Sequence, residues 1–206
     1  MAKVKMSKKM TSIDMTAMCD VAFLLLTFFI LTATAKQPEP LEVQTPNSTV
    51  QVKLPDSDLA IITIGDSGKV FFGVKGQDVR KRTLELMAEK YTELNFSEDE
   101  KTKFGLLDEF GVPTNQLKVL IGLKSADRNQ KGLQKGIPHD SLNNQLADWV
   151  RSARNANAEI NEKQLNFAIK GDATEQYPEI KKIMDILQDQ RVNKFNLVTG
   201  LRSDNF

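Results

Sequence analysis

A chain of 206 residues has room for one domain of ordinary size plus an anchoring segment. Its net charge of +1 leaves no global basic field to draw in nucleic acid, so nucleic acid is not an expected partner. Cys19 is the single cysteine, which excludes an intramolecular disulfide and any thiolate metal cluster within one chain.

Lys3, Lys5, Lys8 and Lys9 open the chain, and residues 15–35 then form an apolar stretch with one charge, Asp20. As a helix this stretch would measure roughly 31 Å, matching a hydrocarbon core of ~30 Å. It also carries marks of a cleaved leader: the lysine-rich start, the apolar run from Val21 to Leu31, and Ala33-Thr34-Ala35 in the pattern of a cleavage site. Against cleavage, such a leader would exceed the usual ~15–30 residues and would hold Asp14 and Asp20 to no purpose. The reading adopted is a retained transmembrane helix over 15–35. The lysine asymmetry places residues 1–14 in the cytoplasm and the rest of the chain across the membrane.

A carboxylate in lipid is expensive, by at least ~2.5 kcal/mol on insertion scales, and is kept where it carries protons or ions or meets a partner. At ~100° per residue, Thr16 and Thr34 fall about 40° from Asp20 and Thr27 about 20° from it, all on the same side. The four side chains form one polar stripe. Threonine hydroxyls can return to their own helix, but a carboxylate has no such outlet. A single helix cannot hide Asp20, so an oligomer or a second membrane subunit is implied.

Residues 36–58 contain Pro38, Pro40, Pro46 and Pro55 among polar residues, the composition of an extended linker. Residues 59–206 are expected to form an α+β domain, a small mixed sheet with helices packed on one face. Residues 59–64 and 69–74 read as strands around the turn Asp66-Ser67-Gly68. Helical spacing over 78–94 predicts a helix capped near Gln77-Asp78. Ser97 and Glu100 form a capping-box pattern opening a helix towards Phe110, ended by Gly111-Val112-Pro113. The apolar run 117–123 reads as a strand and 124–138 as an exposed loop. A helix follows from Asp140, carrying Leu142, Leu146, Trp149 and Val150 on one face. Residues 165–170 read as a strand, Pro178 opens a helix with Ile180, Ile183, Met184 and Leu187 inward, and 195–199 is the closing strand.

Outside the span the chain shows no motif for catalysis, for a metal or for a cofactor. His139 beside Asp140 reads as a helix start rather than a catalytic pair. Gly65-Asp66-Ser67-Gly68 lacks the lysine and following helix of a phosphate loop. The basic residues of 124–135 are interrupted by aspartate and read as a solvated loop.

Ile13-Asp14-Met15-Thr16-Ala17-Met18-Cys19-Asp20-Val21-Ala22-Phe23-Leu24-Leu25-Leu26 resembles the ExbD/TolR family, whose members read D-M-T-P-M-V-D-V-x-F-L-L-L followed by phenylalanines. Ala17 stands where proline is usual and Cys19 where valine is usual; Asp20 matches. Val52-Lys53-Leu54-Pro55 resembles the family's V-x-L-P segment, residues 61–73 its first hairpin, and 165–199 its closing strand–helix–strand. Residues 75–137 exceed the usual connection and read as an insertion. The resemblance implies a proton-motive-force-coupled, non-enzymatic subunit of the bacterial inner membrane, with a periplasmic domain. Its implied partners are an ExbB/TolQ-like multi-span subunit, whose ring holds two copies, and a TonB/TolA-like protein reaching the outer membrane. TolR-like members also touch the cell wall. Two alternatives stand beside the ExbD-like role in TonB-dependent transport: a TolR-like subunit of the Tol system, and a non-energised anchored binding module. A flagellar-stator-type protein would bring an N-x-x-L-S-x-x-R-A pattern, which the chain lacks.

Overall fold

The computed structural model describes residues 15–33, 39–41, 43–48, 53–66, 68–92, 94–130, 132–173, 175 and 177–201. Residues 1–14, Thr34 and Val52 lie outside them, and with them the expected tail, one member of the polar stripe and the start of the V-x-L-P segment. The chain divides into two compact units, Met1–Gln37 and Pro38–Phe206.

The first unit holds α1, Met15–Thr32. Its sequence has no glycine or proline to break the helix, and no side chain of it is buried within the chain. An apolar helix exposed on all sides needs lipid or partner helices around it.

The second unit opens with the short strand β1, Asn47–Ser48. The hairpin follows as expected, β2 (Leu59–Gly65) and β3 (Lys69–Val74), antiparallel with Ile62 opposite Phe72. Helix α2, Gln77–Lys90, starts from Gly76 rather than from a side-chain cap at Gln77-Asp78. Gly76 has φ +97°, a conformation that a residue with a Cβ adopts only with strain. Helix α3, Glu98–Gly105, carries the expected capping box between Ser97 and Glu100.

That helix stops short of Phe110. The Phe110 backbone instead pairs with Phe72 across the free edge of β3, through N–H to carbonyl bonds of 2.8 and 3.0 Å. The close approach is possible because Gly73 has no side chain: a Cβ there would sit 2.3 Å from the Asp108 carbonyl oxygen. The Ile137 amide likewise donates to the Val70 carbonyl, at 2.8 Å, so the β3 edge is covered.

Residues 117–123 are not a strand. They belong to helix α4, Thr114–Gly122, in which Leu117, Leu120 and Ile121 are buried and Val119 is 68% exposed. The buried set recurs at i, i+3 and i+4, whereas a strand would bury alternate residues. The Arg128 guanidinium holds the end of α4, donating to the carbonyls of Leu123 (2.7 Å) and Ile121 (3.2 Å). The stretch expected as an exposed loop thus contains helix α5, Ser125–Arg128, and also buries Gln134 and Ile137.

The expected helix from Asp140 starts later. Strands β4 (His139–Asp140) and β5 (Asn143–Asn144) form a small hairpin with Leu142 fully exposed at its tip. Helix α6, Gln145–Asn161, is capped by Asn144, whose side chain accepts from the Ala147 amide at 3.0 Å. Asp140 is not the cap, because the hairpin places it outside the helix. Strand β6 (Asn166–Gly171), helix α7 (Tyr177–Asp189) and strand β7 (Phe195–Val198) close the domain, and β8 (Gly200–Leu201) pairs in parallel with β1.

The main sheet has the order β3-β2-β6-β7, antiparallel at its first step and parallel at the next two. One face, with Ala60, Ile62, Ile64, Phe72, Phe167 and Ile169, shares a single apolar core with α2, α3, α4, α6 and α7. Trp149 lies at its centre, 4.8 Å from Phe110 and 6.0 Å from Phe104 between ring centroids. Residues 75–137 therefore supply core side chains, Leu84, Phe104, Phe110, Leu117 and Ile121 among them.

Candidate functional site

Asp20 sits in the second turn of α1, about 8 Å along the axis from Met15. Its carboxylate is exposed and makes no hydrogen bond or ion pair with any described residue. Thr16 and Thr27 fall on the same side of the helix, one turn before it and about two turns after it. The Thr27 hydroxyl donates to the Leu24 carbonyl at 2.9 Å, and Thr32, on another face, donates to the Phe28 carbonyl at 2.7 Å. These hydroxyls are satisfied within the helix, and Asp20 is the polar group that is not. Thr34, the last member of the stripe, is outside the described residues.

A second charged group lies on the domain's other sheet face. Thr63 on β2 donates its hydroxyl to Glu109 at 3.1 Å, and Lys170 on β6 forms an ion pair with Glu39. Burial pushes the Glu109 carboxyl above the ordinary range. The Thr63 hydrogen bond and the charges of Lys170 and Lys75 oppose that shift, while Glu39 adds to it. Nothing in the sequence marks Glu109: it stands where a helix was expected to run on, and only the pairing of Phe110 with Phe72 carries it to the sheet.

Glu39 belongs to a segment read from its prolines as an extended linker. Residues 39–41 and 43–48 lie on the domain. Leu41 and Val43 pack over Gly65, the Gln44 carbonyl accepts from the Ala173 amide at 2.7 Å, and β1 pairs with β8. Composition identified an extended conformation, and the extended backbone then found unpaired groups at the end of the sheet.

His139 lies with Nδ1 3.2 Å from the Ile137 carbonyl oxygen. Among the described residues, no group of three His, Cys, Asp or Glu is placed to hold a metal ion.

A family model described as biopolymer transport protein ExbD/TolR matches residues 6–201. No curated protein and no solved structure matches the chain.

Proposed function

This chain belongs to the ExbD/TolR family of biopolymer transport proteins, and from that premise we propose that it couples the proton-motive force of the bacterial inner membrane to work at the outer membrane. In this reading α1 crosses the membrane once, with the N-terminus cytoplasmic and the α+β domain periplasmic. Two copies of α1 sit within an ExbB-like multi-span subunit, and a TonB-like protein carries the movement outward to serve TonB-dependent transport.

The observation that supports this reading is Asp20, a carboxylate without a described partner on an otherwise apolar helix. Ionised, Asp20 must face water, a cation or hydrogen-bond donors. Protonated, it can turn towards less polar surroundings. Proton binding from one side and release to the other therefore alternates the surroundings that α1 prefers, and the helix repositions against its partner. An elementary charge moved through the membrane potential is worth ~2.3 kcal/mol per 100 mV, comparable to such a change of interface. Thr16, Thr27 and Thr34 flank Asp20 on one side of that face, and Leu24 and Leu31 on the other.

Asp20→Asn tests this, because the amide keeps the shape and cannot ionise. Expected are normal amounts of full-length chain in the membrane fraction and complete loss of receptor-dependent uptake. Normal uptake by the variant, or uptake that persists after an uncoupler collapses the gradient, would sink the proposal and favour a non-energised anchor. The family description also covers a TolR-like role. Loss of envelope integrity with uptake intact would assign the chain there.

A further inference from the structure

Thr63 on β2 and Lys170 on β6 are register partners on neighbouring strands, so their side chains stand side by side on the sheet face away from the helices. Lys170 holds Glu39 of the seated segment in an ion pair, and the Thr63 hydroxyl holds Glu109 at 3.1 Å. Glu109 is within electrostatic reach of Lys170, Glu39 and Lys75. Asp108, its neighbour in sequence, is engaged by Arg80, whose Nη1 donates to it at 2.7 Å. The Lys170 side chain is 17% exposed and that of Glu39 33%, so water screens these charges incompletely.

The two carboxyl groups are mounted differently. Glu109 is fixed, because Phe110 beside it is pinned to Phe72 by two backbone hydrogen bonds. Its Cγ lies so close to the sheet that a Cβ at Gly73 would meet it at 2.6 Å. Glu39 rides on a segment held by short contacts: its own ion pair, Leu41 and Val43 against Gly65, the Gln44 carbonyl on the Ala173 amide, and β1 on β8. One ammonium group cannot neutralise two carboxylates. With Glu109 protonated, Lys170 serves Glu39 alone. With Glu109 ionised, Lys170 is shared and the two carboxylates repel, with Lys75 offsetting part of the repulsion.

We propose that Glu109 is a proton switch for the seat of Glu39: protonated, it leaves Lys170 to the segment; ionised, it competes for Lys170 and releases the segment's first residues from the domain. Reciprocity supports the direction. Glu39 in its seat favours the protonated form of Glu109, so a proton on Glu109 must favour the seat of Glu39. The device responds to acidity around the domain. It is separate from Asp20, which belongs to the other compact unit, and its test needs no proton gradient. A Glu109 that only supports the fold predicts a change of domain stability with pH and no change at the segment.

Methyl NMR on the full-length chain in detergent micelles, labelled at leucine and valine, follows Leu41 and Val43 against Gly65. As pH rises from about 4.5 to 8, the ratio of seated to released segment should fall about threefold or more. Glu109→Gln should stay seated throughout that range. Glu39→Gln should be seated more weakly, with no dependence on pH. Trp149 emission checks that each variant is folded. Glu39→Gln, outside the core, carries the test by itself should Glu109→Gln not fold. The proposal is overturned if the Val43 signals do not move with pH, or if Glu109→Gln follows the parent's curve. It is also overturned if Glu39→Gln keeps the full response, which would assign it to Asp66 or Asp172 beside the same segment.

Discussion

At the residue scale, Glu109 is the group whose environment departs furthest from what its neighbours in sequence suggest. Its carboxyl is held over β2 by Thr63, and burial makes ionisation costly there. The folded chain thus holds this proton to a higher pH than the unfolded chain does. Stability from this group is full below the unfolded value of ~4.3 and falls as pH rises through the raised folded value. Glu109→Gln should remove that decline: the variant gains stability relative to the parent as pH rises above about 4.3. Thermal unfolding at several pH values, followed by the fluorescence of Trp149, the single tryptophan, measures it. Identical pH profiles for the two chains would remove Glu109 from the account. Asp20 is the contrasting case. Its significance is visible from its own neighbours, because an apolar run around a carboxylate needs no tertiary information to be unusual.

Element by element, the strands and helices of the hairpin and closing module follow from local pattern, and α4 does not. Its run Leu117-Lys118-Val119-Leu120-Ile121 contains apolar residues at both helical and alternating spacing, so period alone does not choose. The packing chooses: Leu120 is 3% exposed and Val119 68%. Leu120→Ala should cost ~2–5 kcal/mol as a buried large-to-small change, while Val119→Ala should stay within ~0.5 kcal/mol. Urea denaturation read by Trp149 separates them, and a larger loss at Val119 than at Leu120 would restore the strand. The later start of α6 has a related cause. Asp140 and Asn144 are both competent caps in sequence, and the hairpin of β4 with β5 leaves Asn144 at the helix entrance.

For the whole molecule, the consequential feature is that the chain between span and domain is partly seated on the domain. Leu41 and Val43 cover Gly65, where a Cβ would meet the Val43 side chain at 2.7 Å and that of Leu41 at 3.3 Å. Gly65→Ala should therefore loosen the segment around Leu41 and Val43 while leaving the helical face of the sheet packed. Limited proteolysis of the full chain should show faster cleavage within this segment and an unchanged Trp149 spectrum. Unchanged cleavage would mean that the segment is held by its other contacts, the Glu39 ion pair with Lys170 and the pairing of β1 with β8.

By itself the sequence determined the apolar helix, the aspartate within it, the first hairpin and the closing strand–helix–strand. Each is encoded by residues within one or two turns of one another, or by a short turn between strands. Tertiary structure alone decided the class of 117–123, the partial burial of Glu109, the place of residues 75–137 in the core and the seating of 39–41 and 43–48. Those outcomes depend on surfaces brought together from distant parts of the chain, where burial and backbone pairing outweigh local preference.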